Sequence, residues 1–411
     1  MSALRRRLGG LAACAALAAP GASQEMAGQD LVVRAGTIHT MAGEAIRDGV
    51  VVVADGKIAA VGPASEVAIP EGVPVLEAPV VTPGLIDAHS VVGLSGYLNS
   101  PHDQDQLERS APIQPDLRAI DAYNAREPLV AWVREHGVTT LHTGHGPGAL
   151  VAGETMIVKT RGETVDEAVL VPRAMLAATL AESALTEEEG KSPGTRGKAV
   201  AMLRQRLIAA QEYLGKRASA DEETGRDLAL ESLGRVLEGE IPLLLTAERH
   251  QDIASALRLQ REFGFRLVLD SGAESYLLTD EIRAAEVPVI VHPPMVRPSG
   301  ERENASMETA ARLVEAGIPV ALQSGYEAYV PKTRVVLFEA AVAAAHGLGF
   351  ERALAAITRD AAELLGIADR VGTLEPGKDG DLALYDGDPF EYTSHCLATV
   401  IEGVVVQDGA R

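Results

Sequence analysis

A few of this chain's histidines and acids fall at the ends of short apolar runs, where a fold can present them to a ligand. The stretch "VVTPGLIDAHSVVGLSG" (Val80 to Gly96) carries His89 to the end of such a run, and "LTAERHQDI" does the same for Glu248, with His250 two residues on. His142 and His145 stand in "LHTGHGPG", and His292 precedes Pro293-Pro294. Imidazole and carboxylate are the donors a divalent ion needs, and a site of that kind takes at least three. His89, Glu248 and one of His142, His145, His250 or His292 would supply three. Without an ion, His89 and Glu248 could act as an acid–base pair in a pocket.

Each histidine also has a plainer reading. His142 and His145 fit hydrogen-bonding residues of a Gly-rich loop. His292 fits a strand-end packing residue, and His89 a core histidine bonded to backbone. Nucleophilic catalysis finds little support: there is no Gly-x-Ser-x-Gly elbow, and Ser90 has no evident base set. "GHGPG" lacks the lysine and the strand–helix setting of a phosphate loop.

Short apolar runs must position these groups. Eight recur: "GLIDAHSV", "GVTTLHTG", "TMIVKTRG", "AVLVPRAML", "IPLLLTAE", "FRLVLDSG", "VPVIVHPP" and "IPVALQSG". Helical patterns such as "SALRLQREFG" and "METAARLVEAGI" lie between several of them. The alternation predicts an α/β protein, a (β/α)8 TIM-like barrel over 81–371, with a helical insertion at about 185–240 between the fourth and fifth runs. "TEEEG" and "ADEETG" in that insertion read as solvated helix ends and loops.

Both chain ends look β. "LVVRAGTIHT" and "DGVVVVADGKIAAVG" are β-branched runs with hairpin signals at Asp48-Gly49 and Asp55-Gly56, and "LATVIEGVVVQDG" turns at Glu402-Gly403. Segments 30–80 and 372–411 are therefore expected to form one small composite β-sandwich. Residues 1–23 carry Arg5-Arg6-Arg7, an apolar run and Gly21-Ala22-Ser23, the pattern of a signal peptide. Export to the periplasm or outside follows, and Leu11-Ala12-Ala13-Cys14 leaves a lipoprotein open. No other stretch reaches the roughly 20 apolar residues that span a bilayer. A net charge of −21 repels phosphates, and aromatics at 3% leave few stacking platforms, so nucleic-acid binding is not expected. With the leader removed, Cys396 is the one cysteine left and no internal disulfide forms.

"VVTPGLIDAH", the flanking β segments and "GTLEPGKDGDLALYDGDP" resemble the amidohydrolase superfamily, and within it the exported branch related to imidazolonepropionases and prolidase-like dipeptidases. That resemblance covers nearly the whole mature chain. It implies a metal-dependent barrel with a small β domain, one or two ions at the C-terminal ends of the barrel strands, and hydrolysis of an amide or related C–N bond by ion-bound water. The ion lowers the water's pKa to near 7, and an aspartate on strand eight shuttles the proton.

Most of the ligand positions that the resemblance implies are substituted in this chain. His89 stands at the first histidine of the family's His-x-His, but Val91 holds the second. Ala177 falls closest to the strand-four lysine, with Lys159 as an alternative candidate on the preceding strand. Thr246 stands at the strand-five histidine, with Glu248 two places on. Ser271 takes the strand-six position and Gly325, followed by Tyr326, the strand-eight aspartate. Asp270, one residue before Ser271, is expected to face the helices. Val91 and Gly325 cannot bind a cation through their side chains, and Thr246 and Ser271 are weak neutral donors.

The substitutions favour a degenerate amidohydrolase, a pseudoenzyme without a metal centre and with no cofactor. It would bind a small molecule or peptide in the old mouth, or pair as a homo- or hetero-oligomer with an active relative. Lys159, His250 and Tyr326 are its pocket candidates. The alternative is an active hydrolase of amide or peptide bonds with a rebuilt or single-ion zinc site, in which His89→Ala and Glu248→Gln abolish turnover.

Overall fold

A computed structural model describes residues 30–408 of the chain except 99, 189, 220–224, 293, 296–297 and 327–334. The leader pattern and Cys14 lie outside the described residues. No described helix is long and apolar enough to cross a membrane.

The two chain ends meet in one sheet. Its strands are β1 (Leu31–Ile38), β2 (Ile46–Ala54), β3 (Lys57–Pro63) and β4 (Val75–Pro83) from the first end, with β15 (Leu382–Tyr385), β16 (Cys396–Ile401) and β17 (Val404–Asp408) from the other. Their order is β17-β16-β15-β4-β1-β2-β3, so β4 and β15 form the seam. Asp55-Gly56, both at positive φ, turns β2 into β3, and Glu402-Gly403 turns β16 into β17 in the same way. Asp48-Gly49 makes no hairpin and lies inside β2, with Asp48 at φ 46°. The expected two-layer sandwich is one continuous seven-stranded sheet. Ile58 and Val51 from one side and Leu382 and Val400 from the other join a single apolar cluster, so the sheet curls around its own core.

All eight apolar runs of the middle are strands. They give β5 (Leu85–Ser90), β6 (Val138–Thr143), β8 (Met156–Lys159), β9 (Val169–Val171), β10 (Leu176–Thr179), β11 (Leu243–Ala247), β12 (Leu267–Ser271), β13 (Val289–Val291) and β14 (Val320–Leu322), and a further short strand outside those runs is β7 (Val151–Glu154). The strands β10 to β14 are parallel neighbours, and β5 is parallel to β6. A parallel bridge between Ser90 and Gly325 brings β5 to β14. Asp87 reinforces that join, its carboxylate accepting from Ser324 N at 2.9 Å and from the Ser324 hydroxyl.

Two expectations change here. The third run does not run parallel: β8 is antiparallel to β6, and β7 antiparallel to β10. The fourth run splits into β9, an outer strand on β8, and the start of β10. Uniform (β/α)8 closure is thus replaced by two mixed sheets arranged as a TIM-barrel-like body.

Ile86, Ala88, Ile157, Met175, Leu244, Val268, Ile290 and Ala321 fill the barrel interior and pack on Ala361 and Leu365 below. The long helix Arg196–Ala218 between β10 and β11 begins at Thr195, which accepts from Lys198 N. It buries Ala199, Leu203, Leu207 and Ala210, three or four residues apart, on the barrel wall.

Candidate functional site

The barrel mouth has two polar layers. The lower one is centred on Asp270, fully buried near the end of β12. Its Oδ1 lies 2.9 Å from His89 Nδ1 and accepts from Gln323 Nε2 at 2.7 Å, and its Oδ2 accepts from the Thr246 hydroxyl at 2.6 Å. The three partners come from the C-terminal ends of β5, β11 and β14, and Asp270 itself from that of β12. Side chains alternate along a strand, and Val268 faces the barrel interior. Asp270, two residues on, therefore faces inward as well. The expectation that it points toward the helices is corrected: the inward phase on β12 is set by Val268, and Ser271 is the residue out of phase. Ser271 reaches the mouth only because its backbone turns to φ 71°.

The same contacts correct the reading of His89. It is 1% exposed and its main partner is the Asp270 carboxylate, with the His145 backbone a smaller one. Burial alone would lower its pKa, but the Asp270 charge and hydrogen bond outweigh burial and raise it. Asp270 shows the mirror image. Burial pushes it up, while His89, Thr246 and Gln323 hold it below its ordinary value. His89 Nε2 is buried without a hydrogen bond of normal geometry among the described residues, and the His145 backbone is a further, smaller influence that raises the pKa.

The upper layer is a cavity of about 360 Å³ whose lining includes Thr246, Glu248, Arg302 and Tyr326. Glu248 follows β11 and is 3% exposed. Its Oε1 accepts from Arg302 Nε at 2.8 Å and from the Tyr326 hydroxyl at 3.3 Å, and its Oε2 from Ala273 N at 3.3 Å. Burial is the largest influence on Glu248 and raises its pKa, with Arg302 working against it. Tyr326 joins the layers. Its hydroxyl shares a 2.9 Å hydrogen bond with Ser271 Oγ, and its ring lies 5.0 Å from that of His292 and 6.2 Å from that of His89. His89 and Glu248 are thus not directly paired; each has its own partner of opposite charge.

The other candidates fall in different places. His142 is on β6 rather than in the loop. Its Nδ1 donates to Ala88 O at 2.6 Å and its Nε2 accepts from the Thr155 hydroxyl at 2.7 Å. Burial, with His89 nearby, pushes its pKa down to about 3, so it is neutral and structural. His145 lies in the loop as expected, buried and neutral, with its pKa pushed by burial to about 4. His250 pairs with Glu274 at 2.7 Å on a half-exposed helix start, and does not line the mouth cavity.

Lys159 is also outside the mouth. It stands at the last residue of β8, beside Thr140 near the start of β6. Because β8 is antiparallel, that end lies at the floor of the barrel. There Nζ holds Asp379 at 3.1 Å and also Asp381, both from the "GKDGD" segment.

Val91 is buried and apolar, and Ala177 packs with Ala149 and Ala152. Gly325 has φ 97°, a conformation in which an aspartate would be strained. Arg302 and Gln323 were not singled out in the sequence. Arg302 sits among charges in "RPSGEREN", which reads as solvated loop.

The donor set can be tested against the ion that the resemblance implies. Three donors occupy Asp270, out of about four acceptor directions on a carboxylate. Glu248 is held by a guanidinium, which would repel a cation. Among the described residues, no group of three or more His, Cys, Asp or Glu side chains could hold a metal ion.

Comparison with known proteins agrees with the fold. The pattern of the amidohydrolase family matches residues 228–407. An imidazolonepropionase of Rhizorhabdus wittichii is 27% identical over 384 residues, 87% of this chain and 93% of that one. Amidohydrolase tasK of Hapsidospora irregularis is 26% identical over 84% of this chain, which spans only 38% of its length. The crystal structure of an amidohydrolase from Thermotoga maritima superposes with a TM-score of 0.85 at 28% identity, covering 92% of this chain and all of that one. These matches support placing the chain in the amidohydrolase superfamily, in its imidazolonepropionase-like branch.

Proposed function

We propose that this chain keeps the amidohydrolase scaffold without its metal centre and uses the mouth to bind a ligand rather than to hydrolyse one. One observation carries the reading: the buried carboxylate at the centre of the mouth, Asp270, is neutralised by the protein's own His89. A buried imidazolium stands where a carboxylate in such a mouth would otherwise need an ion. Val91 and Gly325 offer no donor atoms in their side chains, and Thr246 spends its hydroxyl on Asp270. We further propose that the chain is exported, and that its ligand is a small molecule or peptide. Association with itself or with a catalytically intact relative belongs to the same proposal.

The test is the metal content of the mature chain, prepared without a histidine tag and dialysed after exposure to zinc. Well under one ion per chain is expected, with a melting curve that EDTA leaves in place. One tightly held ion per chain, lost on His89→Ala, would overturn the proposal.

A further inference from the structure

Arg302 fills the mouth from outside the barrel. Its backbone belongs to a segment tied down on several sides. Gly300 O accepts from Arg249 Nη2 at 3.2 Å, and Glu301 pairs with Arg196 at 2.5 Å. Asn304 donates to Glu274 at 2.7 Å, and its carbonyl accepts from the Tyr276 hydroxyl at 2.9 Å. From this fixed base the Arg302 side chain, 22% exposed, reaches inward.

What it meets is a cradle for a planar cation. The Glu248 carboxylate takes Nε at 2.8 Å, the Tyr326 hydroxyl takes Nη2 at 2.5 Å, and the guanidinium carbon lies 5.5 Å from the centre of the Tyr326 ring. A carboxylate, a hydroxyl and an aromatic face together recognise guanidinium and ammonium groups. The two cradle residues stand just past the ends of β11 and β14; the occupant is a loop side chain. The adjoining cavity of about 360 Å³ is also lined by Glu182 and Glu301, and among the described residues Arg302 is the only Lys or Arg in its lining.

We propose that the mouth binds a small molecule or peptide side chain ending in a guanidinium or primary ammonium group, which takes the place Arg302 now fills. The proposal rests on the ligand-binding reading above. The loop stays pinned, and the exchange needs only the Arg302 side chain to swing out. A chain of net charge −21 draws such cations toward it.

The probe is agmatine, which carries a guanidinium and an amine and no carboxylate, titrated by calorimetry into the full mature chain. Arg302→Ala is expected to bind agmatine at least tenfold more tightly than the unsubstituted chain, and Glu248→Gln added to it should remove the gain. Glutamate, titrated alongside, should bind neither. Arg302→Gln, nearly isosteric and neutral, repeats the comparison should the alanine variant fail to fold.

A folded variant with no gain in agmatine binding, or a gain that survives Glu248→Gln, would sink the proposal. So would glutamate binding that is lost with Arg302, because the guanidinium would then be an anchor for anions. Metal analysis keeps the two proposals apart. An ion in the protein defeats the metal-free reading whatever agmatine does, and failure to bind agmatine in metal-free protein defeats only this one.

Discussion

Lys159→Met will destabilise the folded chain by about 3–5 kcal/mol, the cost typical of breaking a buried ion pair from one side. Asp381 is almost fully buried and would keep one hydrogen bond, from Glu402 N at 2.9 Å. Asp379 is fully buried and would keep Lys57 at 2.5 Å and Arg370 at 2.8 Å. The damage therefore concentrates on Asp381. Adding Asp381→Asn to Lys159→Met should recover a good part of the loss, since it removes the stranded charge. Urea denaturation of the three variants measures this. A loss below about 1 kcal/mol for Lys159→Met would mean that water reaches the cluster and screens it.

The cluster also sets an acid limit. Burial would raise the Asp379 pKa, but Lys159, Lys57 and Arg370 outweigh it and hold it below its ordinary 3.8. A depressed carboxylate stabilises the fold above its unfolded pKa, and that contribution is lost as pH falls through the folded value. The Lys159→Met chain should therefore lose less stability than the parent between pH 5 and the acid range.

Asp270→Asn is the second large effect, again about 3–5 kcal/mol, because it leaves His89 buried without its counter-charge. With the carboxylate gone, burial becomes the main influence on His89 and should turn its raised pKa into a lowered one. NMR titration of the His89 ring reads this directly, and a His89 pKa unchanged by the substitution would refute the pairing.

In the parent the two partners bound a window. The raised His89 contributes in full below its unfolded value of 6.5, and the contribution is lost as pH climbs through the folded value. The depressed Asp270 contributes above 3.8, and that contribution is lost as pH falls through its folded value. Stability from the pair is greatest between those limits, and the Asp270→Asn chain should lack that maximum.

Apart from β7, the strands of the barrel were legible because apolar runs between helical patterns are a strong signal. Direction was not. "TMIVKTRG" has the same periodicity read either way, so nothing in it said that β8 runs against its neighbours. That one reversal moved Lys159 from an expected place at the mouth to the floor.

Phase was the second gap. Anchoring β12 on Ser271 before Gly272 put Asp270 on the wrong face, while Val268, an ordinary core valine, carried the true parity. Those residues are adjacent, and a slip of one position exchanges the two faces. His89 stood out by its place at the end of a strand. Its partner is 181 residues away, a distance over which no local pattern speaks. Arg302 was hidden for another reason: a charge in a charged loop gives no sign that it turns inward.

The seam between β4 and β15 has a consequence for biosynthesis. Thr82 pairs with Ala383, so β4 leaves the ribosome about 300 residues before its neighbour exists. Until then it is an open edge in a half-built sheet, able to pair with any exposed strand. Contacts so distant in sequence form late. The nascent chain must be kept from aggregating until almost its last residues are made, and a product that stops short of Leu382 would carry that open edge permanently.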